Sequence, residues 1–552
     1  MNDTTRNQKR PIVVILLAIL LWFSMQVINP VHADSVPTEL TNSIFVKFAA
    51  NTTDMERAKL IEEMGGKQVL WLDAISTALV RLPDNWASTR GNSNALTLAS
   101  QSQFVQSVEF DGVVAGVPVS QERMDSQPLK YNSTIPTAPV QVNDADYLNS
   151  QMQVYAPDII NLRMAWNYTM GSPAIKIAII DSGILASHPE FAGRILPGYD
   201  FVNNDTDPHD DYGHGTHVAG IAAAGANNGI GMIGVCPLCS IIPVKVLDQY
   251  NQGEWSNVAA GILFAVDAGA NVINLSLGGQ SIPQPVEEAI RYAVQHNVVV
   301  VAAVGNGRTN APFYPAAMDE VVGVAATRND DTRWSLNNYG SFVELSAPGY
   351  AVYSTYNDMN NTYKGYNYMS GTSMAAPHVA GLAGLLFSQN PALTVEALRV
   401  LMRSTAVDLG DPGRDDYFGY GRIDAFAALQ AGAPVVLPDA SVSGIVWQDD
   451  NADGLWGQGE IAVTATLTIQ LLDSAKSVVA ETQTDAAGQW RIDNLYPGTY
   501  QVVAVALGST RLTTANTITI QLQSGQETTG VNFGTVQTLI FQVFVPSIQR
   551  TQ

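Results

Sequence analysis

Residues 175–180 read IKIAII and run directly into Asp181-Ser182-Gly183. Five of these six are apolar, so the strand they form carries apolar side chains on both faces and has to be covered on both. Similar runs follow as SIIPVKVL (240–247), NVINLSL (271–277) and VVVVAAV (298–304), with helical stretches after Gly213, through 257–269 and through 286–296. That alternation predicts an α/β fold, a parallel sheet with helices on both faces. Upstream, IFVKF (44–48), the helical MERAKLIEEMGG (55–66), TALVRL (77–82) and VQSVEFD (105–111) read as a small α+β unit. Residues 120–143 carry no sustained periodicity and read as a linker. Downstream, Ala431-Gly432-Ala433-Pro434 ends the last helix, and Thr, Val and Gln then alternate between glycine turns, the pattern of an all-β sandwich. The expected division is 1–33 leader, 34–115 N-terminal unit, 116–142 linker, 143–432 α/β domain, 433–536 β-sandwich and 537–552 tail. At roughly 150 residues per domain, 552 residues agree with several domains.

Lys and Arg total 28 against 50 Asp and Glu, a net charge of −22, although charged residues make up only 14% of the chain. An acidic chain is a poor partner for phosphates, which excludes nucleic acid as first partner. A hydrophobic fraction of 46% excludes a mostly disordered acidic tail. The carboxylate surplus therefore needs a use within a folded protein.

Arg6, Lys9 and Arg10 precede an apolar run from Ile12 to Phe23, and Val31-His32-Ala33 follow, the pattern of a secretory signal peptide cut after Ala33. The run of 12 residues falls short of the roughly 17–25 that span a bilayer, so a retained anchor is the weaker alternative. LIFQVFV (539–545) reads as a strand. The expected product is extracellular or surface-associated, monomeric, and free of a membrane span once the leader is removed.

Three short constellations carry the chemistry. IAIIDSG puts Asp181 at a strand end, GHGTHVAG puts His214 at a helix start, and GTSMAAPHVAG puts Ser373 where helix N-terminal amides favour an anion. Each alone has an ordinary structural reading. Together Ser, His and Asp are the set for acyl transfer, because a hydroxyl needs a base and the base needs an orienting group. Their order, surroundings and separations of 33 and 159 residues resemble the subtilisin-like serine peptidases, thermitase-type members in particular, over about residues 141–432. The resemblance implies that Asp181 orients, His214 is the base and Ser373 the nucleophile. VAAVGNG (301–307) is similar to the family segment whose Asn binds the oxyanion, here Asn306. SLGG, Ser276, Leu277, Gly278 and Gly279, resembles the segment that pairs with an extended peptide substrate. Where the family often carries an acid after the Asn, Gly307-Arg308 follow, so only broad cleavage after apolar or aromatic residues is expected. His217 and His378 match structural helix residues. Residues 43–111 resemble the family's prodomain, which implies a built-in inhibitor removed by self-cleavage between about 112 and 145.

The resemblance also implies Ca²⁺ as a structural cofactor. The loop YDFVNNDTDPHDDYGHGTH crowds Asp200, Asn203, Asp205, Asp207, Asp210 and Asp211 together, of which Asp200, Asn203, Asp205 and Asp207 would bind one ion. Asp144, Glu190, Gly225, Asn228, Ile230 and Met232 match a second site, with Glu190 where the family usually has Asp. In the C-terminal module Asp449, Asn451, Asp453, Gly454 and Glu460 fit D-x-N-x-D-G-x₅-E, but strands flank the loop, so it is no EF-hand. With TDAAGQWRIDNLYPGTYQVV (484–503) it resembles the B-type β-sandwich modules of bacterial surface proteins. Solvated acidic loops are the plain alternative. Export favours a local disulfide between Cys236 and Cys239 over two free thiols. Two further readings stay open: a binding protein with an idle peptidase fold, and a peptide ligase using the same triad.

Overall fold

The computed structural model describes residues 40–83, 92–121, 139–149, 154–357, 365–432 and 440–537, the last with short internal gaps. The leader, most of the linker and the expected strand at 539–545 lie outside the described residues. The chain divides into two compact units, 1–433 and 434–552.

The first unit begins with β1 (Leu40–Phe48), α1 (Asp54–Glu63), β2 (Lys67–Leu72), β3 (Thr77–Arg81), α2 (Asn92–Gln101) and β4 (Val105–Gly116). It continues through β5 (Lys176–Asp181), β6 (Tyr199–Asp200), α3 (His214–Ala223), β7 (Ser240–Lys245), β8 (Gln252–Glu254) and α4 (Trp255–Asp267). Then come β9 (Val272–Leu275), β10 (Leu277–Gly278), α5 (Gln284–Gln295), β11 (Val299–Ala303), β12 (Val322–Thr327), β13 (Leu345–Pro348) and α6 (Thr372–Gln389). Seven parallel strands form the central sheet in the order β13-β12-β11-β9-β5-β7-β6.

The alternation along β5 explains the layers. Ile177 and Ile179 join one buried cluster with α3 and α6, while Ala178 and Ile180 join a second with α4 and α5. The apolar strand thus sits between two helical layers, as its composition requires. Among the described residues no helix is long and apolar enough to cross a membrane.

The N-terminal unit is an antiparallel sheet in the order β4-β1-β3-β2. The sequence reading missed β2 and α2. The KQVLWL strand is an edge strand whose first residues are exposed, so it lacks a clean alternation. The reading also stopped β4 at 111, whereas the strand runs on to Gly116, across the expected boundary at 115, and pairs antiparallel with β8 and β10.

The second unit is all β. Ala440–Gln448 pairs with Gln489–Leu495, Ile461–Ala462 and Phe533–Gln537, and a separate four-stranded sheet is built around Thr468–Leu472 and Gly498–Val505. Val442, Val446, Ile469, Leu471, Trp490, Val502 and Phe533 form its own core, the arrangement of a small sandwich.

Candidate active site

Parallel strands deliver their C-terminal ends to one edge of the sheet, and β5 delivers Asp181. Its Oδ1 lies 2.7 Å from His214 Nδ1 and accepts the Ser182 amide at 2.7 Å. His214 is the first residue of α3, entered through Gly213 at φ 104°, a left-handed conformation that suits glycine. The buried carboxylate of Asp210 ties strand end to helix start. It accepts from Ser182 Oγ at 2.8 Å, from the amides of Gly213 and Thr216 at 2.7 and 2.9 Å, and from Thr216 Oγ1 at 2.6 Å. Ser182 Oγ in turn accepts the Gly215 amide at 2.9 Å.

Burial by itself would lower the His214 pKa, but the charge and hydrogen bond of Asp181, with help from the charge of Asp210, lift it above the ordinary value. Burial pushes His217 down to about 3 and His378 down to about 4, so both are neutral packing residues at ordinary pH. Each has a ring nitrogen at a backbone carbonyl, of Asn367 and of Met374 respectively.

Ser373 is the second residue of α6. Its carbonyl accepts from Ser276 Oγ at 3.0 Å, and Ser276 Oγ accepts from Asn274 Nδ2 at 3.0 Å. Asn306 Oδ1 accepts the Thr372 amide at 3.1 Å and Thr372 Oγ1 at 2.9 Å. That fixes the amide plane and leaves Nδ2 as a donor toward the cleft.

The cleft is filled by the chain itself. Gly116 and Ala115 pair with Leu277 and Gly278, and the Val117 amide donates to Ser276 O at 3.1 Å. Ser373 Oγ lies 3.4 Å from Val117 O and 3.4 Å from Ser276 O. Asn306 Nδ2 donates to Pro118 O. Ser120 and Ser370 then exchange backbone hydrogen bonds of 3.0 and 2.7 Å. With this strand in place Asp181, His214 and Ser373 are fully buried. His214 Nε2 has no hydrogen-bond partner among the described residues.

Around the expected calcium positions, Asp200 accepts from the amides of Val202 and Asn203 and from Asn203 Nδ2, and pairs through its backbone with Asp205. Asp205 Oδ1 accepts the Asp207 amide, and both residues are exposed. In the second set, Glu190 accepts from Asn228 Nδ2 at 2.7 Å, the Met232 amide at 3.1 Å and Tyr366 OH at 2.9 Å. The Gly225 amide donates to Glu190 O, and the Ile230 amide donates to Asn228 Oδ1. Asp144 accepts the Asn227 amide at 2.9 Å. Burial foremost, with the charge of Asp144 adding, pushes Glu190 up to about 7. Two buried carboxylates near one another are a donor set that a hard cation would relieve.

In the second unit the 449–460 loop folds on itself. Asp449 accepts the amides of Asp453 and Gly454, Asn451 and Asp453 bond each other, and Gly454 turns at φ 75°. Glu460 Oε2 accepts the Gly457 amide, whereas Oε1 is buried without a partner among the described residues. An orphaned buried carboxylate oxygen fits a cation site. Among the described residues no three His, Cys, Asp or Glu side chains gather as a metal cluster, and the donor sets above draw on amide and carbonyl oxygens as well. Cys236 and Cys239 are joined by a disulfide, buried against α6.

A parallel sheet that brings Asp181, His214 and Ser373 to one edge, with the Asn306 amide donating to a strand laid beside them, is the arrangement of a serine hydrolase of the subtilisin type. Comparison with known proteins is specific. The Subtilase family pattern matches residues 172–421, and an SdrD B-like domain matches residues 440–542. Thermitase of Thermoactinomyces vulgaris is 45% identical over 276 residues, half of this chain and 95% of that protein. The thermophilic serine proteinase of Bacillus sp. strain AK1 is 44% identical, over 52% of this chain and 69% of that one. The structure of fervidolysin from Fervidobacterium pennivorans, described as a keratinolytic enzyme related to subtilisin, shares the fold at a TM-score of 0.63, with 24% identity, over 90% of this chain and 78% of its own. The chain belongs to the subtilase family and is a serine endopeptidase, with an SdrD B-like module at its C-terminal side.

Sequence reasoning missed the role of Asp210, which it had counted among the acidic loop. It also missed the Asn274–Ser276–Ser373 connection and the strand laid over Ser373. The first two depend on contacts across 28 and 97 residues, and no local pattern encodes such distances.

Proposed function

We propose that this protein is a secreted, calcium-stabilised endopeptidase made as a proenzyme, with Asp181, His214 and Ser373 as its triad and Asn306 as oxyanion donor. The observation that carries the reading is a peptide carbonyl held by Asn306 Nδ2 beside Ser373, on a strand paired with the SLGG segment. In the reaction Ser373 Oγ attacks the substrate carbonyl while His214 Nε2 takes its proton. Asp181 holds the other ring nitrogen and stabilises the imidazolium. Asn306 Nδ2 and the Ser373 amide donate to the developing oxyanion. His214 then protonates the leaving amine, and water repeats the sequence on the acyl-enzyme.

Residues 34–115 act as the inhibitor, supported by the continuity of β4 with the strand in the cleft. The leader pattern at 1–33 supports secretion. Asp144, Glu190, Asn228 and the carbonyls of Gly225, Ile230 and Met232 would hold one calcium, Asp449, Asn451, Asp453 and Glu460 another, and Asp200, Asn203, Asp205 and Asp207 a third. The ion supplies positive charge that fixes loops. Casein hydrolysis by the secreted protein, blocked by a serine-directed inhibitor and absent in Ser373→Ala, is expected. Activity that survives Ser373→Ala overturns the reading, and product masses one water heavier than the bonds cut separate hydrolysis from ligation.

A further inference from the structure

The strand over the nucleophile is substrate-like up to Val117 and regular again at Ser120, yet the catalytic groups between these anchors are divided between two carbonyls. Ser373 Oγ is near Val117 O, whereas Asn306 Nδ2 holds the next carbonyl, Pro118 O. Attack needs one carbonyl to face the hydroxyl and place its oxygen on the donor at once. Neither bond of this strand meets that demand, and His214 Nε2 is not bonded to Ser373.

Cleavage needs a local shift of the strand that brings one carbonyl onto both groups, and Pro118 stands against each of the two ways to achieve it. If Val117 O moved onto Asn306, the leaving nitrogen would be that of Pro118. That nitrogen is tertiary, bonded to a ring carbon in place of a hydrogen and held at φ of about −65°, so the atom that His214 would have to protonate is more crowded and less free to rotate than an ordinary amide nitrogen. If the Pro118 carbonyl moved onto Ser373 instead, residue 118 would take the position of Val117, whose amide donates to Ser276 O. Proline has no N–H to make that bond.

We propose that Pro118 is a specificity-determining residue for the enzyme's action on its own chain: it makes the segment that continues the 34–115 inhibitor into the cleft, as far as Gln121, one that Ser373 does not cut, and directs maturation to a bond other than 117–118 or 118–119. The inference rests on the triad and prodomain reading given above. In the cutting step that Pro118 prevents, the Ser373 Oγ–carbon bond would form, the carbon–nitrogen bond would break, and the serine proton would pass through His214 to the released nitrogen.

The test uses the full-length chain, as wild type, Pro118→Ala, Ser373→Ala and the double variant, with all new N-termini mapped by mass spectrometry over time. Wild type is expected to hydrolyse casein eventually without ever yielding an N-terminus at 118 or 119. Pro118→Ala should yield one of these and reach casein activity at least tenfold sooner, and the double variant should yield none. Active wild type cut at 117–118 or 118–119 overturns the inference while leaving the triad reading intact, as does Pro118→Ala processed at the wild-type sites and rate. Processing and casein hydrolysis that persist in Ser373→Ala overturn the triad reading, and this inference with it.

Discussion

Asp210 illustrates what a single side chain settles in this site. With five hydrogen bonds donated to one buried carboxylate, it fixes the start of α3 to the end of β5, so that Asp181 and His214 meet at 2.7 Å without either having freedom to drift. The places of the proposed triad residues were legible in the sequence because each sits in a local context that can be read residue by residue: a strand end, a glycine-led helix start and a helix N-terminus. Its supports were not, since they join segments far apart in the chain. Removing the nucleophile with Ser373→Ala should lower kcat on the order of 10⁶-fold, and Asn306→Ala on the order of 10²–10³-fold with little change in KM. Because Asp181 lifts the His214 pKa, and the base works only when neutral, the acidic limb of kcat/KM should fall above pH 6.5. A limb below that value, measured on a small ester substrate, would mean that burial outweighs the carboxylate.

At the scale of elements, two helices of the peptidase are finished by another part of the chain. Neither α4, preceded by Glu254, nor α5, preceded by Pro283, has a side-chain cap of its own. Asp111 of β4 accepts from the Ser256 amide at 3.0 Å and Ser256 Oγ at 2.6 Å, and Glu109 accepts the Gln284 amide at 2.8 Å. A helix opening without Ser, Thr, Asp or Asn before it is a visible gap in the sequence, but nothing local says that residues 145 or 175 positions upstream fill it. Burial pushes Asp111 up to about 7, with Glu254 adding and Arg81 and the Ser256 bonds opposing. A carboxyl whose pKa is raised on docking favours the docked state fully below its ordinary value of 3.8, and loses that advantage as pH rises through about 7. Inhibition by the N-terminal unit should therefore weaken from pH 5 to pH 8. The delay before casein hydrolysis by the precursor, taken as the ratio of wild type to Asp111→Asn at each pH, should shrink over that range; a constant ratio would exclude Asp111 as the cause.

For the whole molecule, the α/β class was legible because buried parallel strands have few compositions available to them, while the edge strand β2 was hidden by its exposure. The two units have separate cores, so a chain ending at Gly432 should fold and hydrolyse casein at a rate within a few-fold of full length. Chelation should lower the melting temperature of the full chain, and excess calcium should restore it, since a ligand at 100 times its Kd stabilises by about 2.7 kcal/mol; an unchanged melting temperature would remove calcium from the account. The pairing of β4 with β8 and β10 has a further consequence. With β4 gone, two short strands would face each other with unpaired N–H and C=O groups across a slot one strand wide, which favours any extended backbone. A segment must be uncoiled over several residues before it can lie there, so, on the function proposed above, targets should be sorted by conformation ahead of side chain, with loops and frayed ends cut faster than intact helices and closed sheets.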